Sequence, residues 1–387
     1  IIVASVVLLV AILSWIIPSG TYDYQEMNIN GRIRNVAIDG TYHTIDKSEV
    51  TTTGFLGFFS VLYRGCVEAA DVIFMILCCC GTFGVVVKTG AFHAGIGTIL
   101  KKLKGKEILL VPIIMMIFGL GGSVFGMASE FYGFYPLIVG LGVALGYDAM
   151  FGFAIIAVGE FVGFMGATLN PYSVGIAQTI SGVELYSGTG YRAICFVIFM
   201  AISIIYVMVY GRKIKKNPGA SVVFGEKNIH AFDRDELNEY SFTLKDGLVL
   251  LDVLVVLVVL MLGLIKWGWD FPQLCGLFLL MSMIAAAICK WSPNKWCSEF
   301  IDSAKTAMWG CILTGIAKAI TVVMQDAQIM DTVIYGLSNV LKNAPHAVSA
   351  QVMLVVQTLI NFFIPSATGQ ASATMPIMAQ LADIIGV

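Results

Sequence analysis

Charge is scarce in this sequence. Lysine, arginine, aspartate and glutamate make up 12% of its 387 residues, while 58% are hydrophobic. A soluble domain carries roughly 25% charge. The few charges nearly cancel, at a formal −2, so nothing supports a nucleic-acid partner. Histidine is rarer still, with His43, His93, His230 and His346 scattered and mostly near loops. No Cys/His spacing matches a metal site. Of the cysteines, Cys78, Cys79, Cys80, Cys195, Cys275, Cys289 and Cys311 lie inside apolar runs, where a thiol acts as a small hydrophobe. No nucleophile–base pair or metal-ligand spacing points to an enzyme. Neither a cofactor nor a resident metal is expected.

Long apolar runs are what the chain has in plenty. Several reach about 20 residues, enough to cross a hydrocarbon layer about 30 Å thick. They are too long and continuous for barrel strands. Lipid-facing backbone must satisfy itself, so the expectation is an all-α polytopic membrane protein. Residues 1–17 resemble a signal-peptide core in length. They show no small-residue cleavage pattern, and the segment reads as a membrane helix whose leading residues are absent. Further spans fall at 71–89, 191–211, 246–265, 272–291 and 309–325. Residues 19–54 read as a polar loop, and 55–70 as interfacial. Amphipathic stretches occupy 90–106, 293–308 and 329–345. Residues 212–245 form a linker of mixed charge.

Two polar tips interrupt the apolar sequence. One runs Gly121-Gly122-Ser123 to Gly126-Met127-Ala128-Ser129-Glu130, the other Pro365-Ser366-Ala367-Thr368-Gly369-Gln370-Ala371-Ser372. Each has a Ser three residues before a Gly-x-x-Ser, and each leads into an apolar run containing Pro. Such pairs point to a transporter site. They predict two re-entrant hairpins, at about 107–146 and 346–387. A third interruption, Gly166-Ala167-Thr168-Leu169-Asn170-Pro171, breaks the long helix 149–182. Asn-Pro there frees carbonyls and starts a new helix.

The lysines at 101–106 and the cluster Arg212 to Lys216 both fall on one side if the first helix starts inside. That places 19–54 outside and the two hairpins on opposite faces. Gly84-Val85-Val86-Val87 and Thr321-Val322-Val323-Met324 match in position and pattern. The expectation is an inverted repeat. The first copy is 1–211, the linker 212–245, and the second copy 246–387 lacks its C-terminal broken helix.

Backbone that turns at membrane depth needs partners from protein, water or a ligand. Helix N-termini favour a carboxylate, hydroxyls donate and accept, and freed carbonyls suit a small cation. The candidate binding groups are therefore Ser123, Ser129, Thr168, Asn170, Ser366, Thr368, Gln370 and Ser372. Against this stands the plain reading that small residues let helices pack. Glu130 at the first tip and Glu160 before the break are ionisable at membrane depth, which marks function. Lys318, mid-span in the second half, is the candidate partner of Glu160. Asp148 and Asp252 read as interfacial.

At these segments the chain resembles the YfcC-type basic amino acid antiporters, four-carbon-dicarboxylate anaerobic carrier-like proteins of the ion transporter superfamily. The resemblance spans the chain. It is carried by Ala128-Ser129-Glu130-Phe131-Tyr132-Gly133-Phe134-Tyr135-Pro136, Gly146-Tyr147-Asp148, Asn170-Pro171 with Ala177-Gln178, Pro365 to Ala371, and Met375-Pro376-Ile377-Met378. Where family members often have two consecutive acids, this chain has Ser129-Glu130. The resemblance implies a homodimeric carrier of the bacterial cytoplasmic membrane, with a scaffold domain and a transport domain that moves as an elevator. The expected function is exchange of a small carboxylate-bearing solute, arginine- or ornithine-like. Glu130, with Glu160 compensating charge, would meet its cationic end, since no Arg or Lys lies near the tips in sequence. The alternative is a four-carbon dicarboxylate carrier coupled to Na+ or H+. A channel fits less well, because the polar groups cluster at tips instead of lining a stripe.

Overall fold

A computed structural model describes residues 2–29, 32–38, 40–103, 107–225, 242–342 and 349–385. The protein is mostly helical. Five of its described helices are long and apolar enough to span a membrane: Ala70–Lys88, Thr189–Lys216, Leu244–Leu264, Phe271–Ile288 and Met308–Asp326. The chain divides into two compact units, each discontinuous in sequence. The first contains 1–70, 171–188 and 312–387; the second contains 71–170 and 189–311.

The second unit holds α3 (Ala70–Lys88), α4 (Ala91–Leu103), α5 (Leu110–Leu120), α6 (Tyr135–Ala144), α7 (Ala149–Met165), α9 (Thr189–Lys216), α10 (Leu244–Lys266), α11 (Phe271–Ile288) and α12 (Pro293–Lys305). The helix starts are legible. Asp148 caps α7 by accepting from Phe151 N at 2.7 Å. Thr243 and Asp246 form a capping box at α10, and Asp270 with Gln273 another at α11. α5, α6 and α9 all pack on α7. Glycine permits the closeness: a Cβ on Gly163 would lie 2.2 Å from the Gly119 carbonyl oxygen, and one on Gly159 2.9 Å from that of Met115. On another flank a Cβ on Gly152 would meet Val139 Cα at 2.6 Å. Around this backbone contact Phe83, Met115, Phe151, Ile155, Met200 and Phe278 form a buried core. The amphipathic α12 lies on α3. Phe300 sits over Gly81, Ser303 over Gly84, and Lys88 pairs with Glu299.

The first unit contains α1 (Ile2–Ile16), α2 (Phe55–Glu68), α8 (Ile176–Ile180), most of α13 (Met308–Asp326), α14 (Met330–Lys342), α15 (Ser349–Phe363) and α16 (Ala367–Ile385). α2 crosses α13 where Gly65 faces Gly315, its Cβ position 2.5 Å from the Gly315 oxygen. Arg64 pairs with Asp326 through two bonds of 2.5 and 2.9 Å, and Lys318 reaches Glu68 at 4.0 Å.

The all-α expectation is corrected in one segment. Residues 19–45, read from sequence as loop, contain four short strands. β1 (Ser19–Thr21) pairs with β4 (His43–Ile45), and β2 (Tyr24–Ile29) pairs with β3 (Arg32–Ala37), both antiparallel. Their polar composition hid a register that buries Tyr22, Val36 and Ala37. Residues 226–241 of the linker, and residues 104–106 with two of the basic cluster's lysines, lie outside the described residues.

Candidate functional site

In the second unit the first tip is not a simple turn. α5 runs into a π-helical turn, Gly121–Phe125, which ends at Gly126 in the left-handed region (φ 68°). That conformation suits glycine. A 3-10 turn, Ser129–Phe134, leads to α6. The break after α7 is bonded to this tip. Ser123 is fully buried, and its hydroxyl bonds the Gly166 carbonyl at 2.9 Å and Thr168 Oγ1 at 3.1 Å. The Ser123 carbonyl accepts from Thr168 N at 2.9 Å and Leu169 N at 3.2 Å. Asn170 Nδ2 donates to the Gly122 carbonyl at 3.1 Å. Three residues chosen from sequence, Ser123, Thr168 and Asn170, thus form one knot. It satisfies the backbone that the irregular turns set free.

Glu130 and Glu160 are buried in the same unit, at 8% and 1% exposure. Glu130 Oε2 accepts from Ala128 N at 2.9 Å, and Glu160 Oε2 from the Tyr135 hydroxyl at 3.0 Å. Among the described residues neither forms an ion pair. Lys318 pairs instead with Glu68 in the first unit, so the expected Glu160–Lys318 pairing is corrected. The Ser129 side chain lies outside the described residues.

The sequence reading missed Arg192. Its guanidinium reaches the Thr168 carbonyl at 3.1 Å and Thr189 Oγ1 at 3.2 Å. The expectation of no cation near the tips is therefore corrected. The 24 residues between Arg192 and Thr168 hid the contact, and only a basic residue opening an apolar helix hinted at it. Two aspartates also change meaning. Asp148 joins Phe151 N, the Tyr210 hydroxyl and the Ser221 hydroxyl, the latter two at 2.6 Å. Asp252 lies inside α10 instead of at a span end, and its Oδ2 is buried without a hydrogen-bond partner among the described residues.

The second tip belongs to the first unit. Ser366 caps α16, its hydroxyl accepting from Gly369 N at 3.2 Å. Thr368 Oγ1 donates to the Tyr172 carbonyl at 3.0 Å, tying α16 to the π-helical turn Pro171–Gly175 that opens into α8. Gln370 points back to the other arm. It donates to the Gln357 carbonyl and amide oxygens at 2.8 and 2.5 Å and accepts from Asn361 at 2.9 Å. A long polar ladder of this kind locks α15 to α16. Ser372 Oγ is buried and has no hydrogen-bond partner among the described residues. No three His, Cys, Asp or Glu side chains converge as metal ligands among the described residues.

Chemically, the second unit offers the buried carboxylates of Glu130 and Glu160, the Arg192 guanidinium and a bonded helix break. The first unit offers hydroxyls at a helix start. The comparisons with known proteins lead to membrane carriers. The family model described as C4-dicarboxylate anaerobic carrier matches residues 1–387. The chain is 30% identical over 422 residues to the Escherichia coli (strain K12) protein YfcC, whose provisional name is basic amino acid antiporter. The match covers 100% of this chain and 83% of that one. It is also 30% identical over 383 residues to an uncharacterized protein of Haemophilus influenzae, covering 96% and 75% of the two chains. Among solved structures it is similar to the YdaH transporter of Alcanivorax borkumensis (TM-score 0.43, 12% identity, 100% and 83% coverage). It is likewise similar to the efflux pump MtrF of Neisseria gonorrhoeae (TM-score 0.43, 16% identity, 97% and 78% coverage).

Proposed function

The chain belongs to the C4-dicarboxylate anaerobic carrier family, and from that premise we propose that it exchanges basic amino acids across the bacterial inner membrane by alternating access. The carrying observation is the pair of buried carboxylates, Glu130 and Glu160, without an ion-pair partner among the described residues. A carboxylate removed from water is costly unless something compensates it. A guanidinium or ammonium group of a solute supplies that compensation. Within the second unit the solute's own carboxylate would meet Arg192 and the hydroxyls of Ser123, Ser129 and Thr168, with Asn170 holding the backbone beside them. Ser366, Thr368, Gln370 and Ser372 are the binding groups proposed for the first unit. The name of the Escherichia coli relative supports the same reading.

The proposal includes the architecture expected from sequence. Residues 1–211 and 246–387 act as inverted repeats joined by 212–245, the two tips as re-entrant hairpins, and a homodimeric scaffold carries elevator-type transport domains. A second reading, four-carbon dicarboxylate transport driven by Na+ or H+, is favoured by Arg192, which presents a cation at the helix break. Uptake of labelled arginine into liposomes holding ornithine, succinate or nothing, with and without a Na+ gradient, separates the two. Uptake that requires internal ornithine and ignores Na+ is expected, and the Glu130→Gln variant should abolish it. Succinate accumulation under a cation gradient, without arginine uptake, would establish the second reading.

A further inference from the structure

The strands of the first unit are fastened to one end of α14. Asp331, in the first turn of that helix, is 7% exposed. Its carboxylate accepts from Thr21 Oγ1 at 3.1 Å, Tyr22 N at 3.0 Å and the Tyr24 hydroxyl at 2.8 and 2.9 Å. Beside it, Tyr42 bonds Thr332 at 2.9 Å and stacks on Tyr335 with ring centroids 4.1 Å apart. Ser19 Oγ and Gly20 N donate to the carbonyls of Ala327 and Gln328. From this anchor the ribbon β2–β3 extends over the second tip's elements. β3 packs on α16 and β2 on α8. Val36, 1% exposed, shares a small core with Ile176 of α8 and Ala371 of α16. Tyr22 and Ala37 share another with Ile334, Ile360 and Met378.

We propose that Asp331 is a positioning residue for solute binding, holding α16 and α8 in place through a ribbon that stays latched throughout the transport cycle. The proposal rests on the transport reading above. α16 carries Thr368, Gln370 and Ser372, and Thr368 bonds the backbone that leads into α8. Among the described residues Asp331 bonds the ribbon and not these side chains; the ribbon transmits its effect by packing. The physical case for a permanent latch is the carboxylate. Lifting the ribbon would strip three donor groups from a buried charge and expose Val36, Tyr22 and Ala37 to water, and each lost bond to a charged group is costly. A lid that rises at every turnover would need a weaker fastening.

The test has three arms. In the first, Val36→Cys is labelled with a membrane-impermeant maleimide, read as the increment over the native cysteines. The site should be protected, and Asp331→Ala should speed labelling about tenfold or more, with Asp331→Asn between. Equal rates would overturn the anchor. This arm needs no solute, so it stays readable if arginine transport itself fails. In the second, Val36→Cys and Ala371→Cys are oxidised to a disulfide. Exchange that persists within about twofold supports the latch; a block reversed by reductant overturns it. In the third, KM and turnover per folded carrier are measured with whichever solute the wild type carries. Asp331→Ala should raise KM about tenfold and leave turnover nearly unchanged, with partial rescue in Asp331→Asn. An unchanged KM, or loss of turnover alone, would overturn a positioning role. If Asp331→Ala does not reach the membrane, Asp331→Asn and Tyr24→Phe give the same readouts on a smaller scale.

Discussion

The two polar tips look alike in sequence, yet the protein secures them by different means. In the second unit the tip is held by bare backbone. Gly119, Gly159 and Gly163 bring α5 and α7 into contact, and the break is closed by short side chains, Ser123, Thr168 and Asn170. In the first unit the tip is held by longer polar side chains, Gln357 with Gln370, and by a β-ribbon laid over its arm. The difference teaches that one motif, Ser-x-x-Gly-x-x-Ser, does not dictate one mode of support. Where glycines lie on the facing helix, backbones approach and small groups suffice. At the second tip longer side chains and an outside strap take that part.

The largest break in this comparison should come from the glycine contact. Gly163→Val places side-chain atoms where the Gly119 carbonyl lies 2.2 Å from the Cβ position, and only backbone movement can relieve it. Overpacking of this kind costs about 1–3 kcal/mol or more. Thermal unfolding in detergent should show the loss, whereas Gly369→Ala at the other tip, whose nearest neighbour is 3.4 Å away, should be mild. A comparable loss at both positions would erase the distinction.

Charge at the second unit comes next. Glu160→Gln keeps the Tyr135 contact in shape while removing the charge, and exchange of a cationic solute should fall on the order of 100-fold in kcat/KM. Liposome uptake measures it, and unchanged kinetics would remove Glu160 from the site. A smaller effect is expected from Asn170→Ala, which leaves the Gly122 carbonyl without this donor at a cost of about 1–3 kcal/mol. Differential scanning fluorimetry would detect it, and the Gln370→Ala variant gives the matched loss on the other tip.

The smallest effect lies in the ribbon. Burial first, and the Asp331 carboxylate next, raise the Tyr24 phenol above its ordinary range. The protonated phenol is the donor, so the attached state binds that proton more tightly than the detached one. Its contribution is fully present below about pH 10 and fades as pH rises through that value toward the higher attached-state value. Labelling of Val36→Cys should therefore accelerate above about pH 10. Tyr24→Phe should flatten that dependence and cost about 1 kcal/mol. A pH profile identical in both would show that Tyr24 does not titrate with the latch.

Several features of the fold were open to a reader of the sequence alone. Membrane-length helices followed from run length and low charge, because hydrocarbon admits little else. Gly126 at the first tip announced a turn through local chemistry. Asp148, read as interfacial, and Thr243 with Asp246, passed over, proved to be helix caps, although their pattern is equally local. The β-ribbon was less open. Asn30-Gly31 between β2 and β3 is a hairpin signal, but polar strands carry a weak alternation beside twenty-residue apolar runs.

What the sequence by itself determined is the set of interruptions: which helices break, and that Ser123, Thr168, Asn170 and Glu160 lie at or beside the breaks. Those facts rest on neighbours along the chain. Which groups meet was decided only by the tertiary structure. Arg192 comes to Thr168 across 24 residues, Lys318 goes to Glu68 instead of Glu160, and Asp331 gathers donors some 310 residues away. Such pairings depend on helix packing and on which backbones glycine lets approach, and no local pattern of residues encodes them.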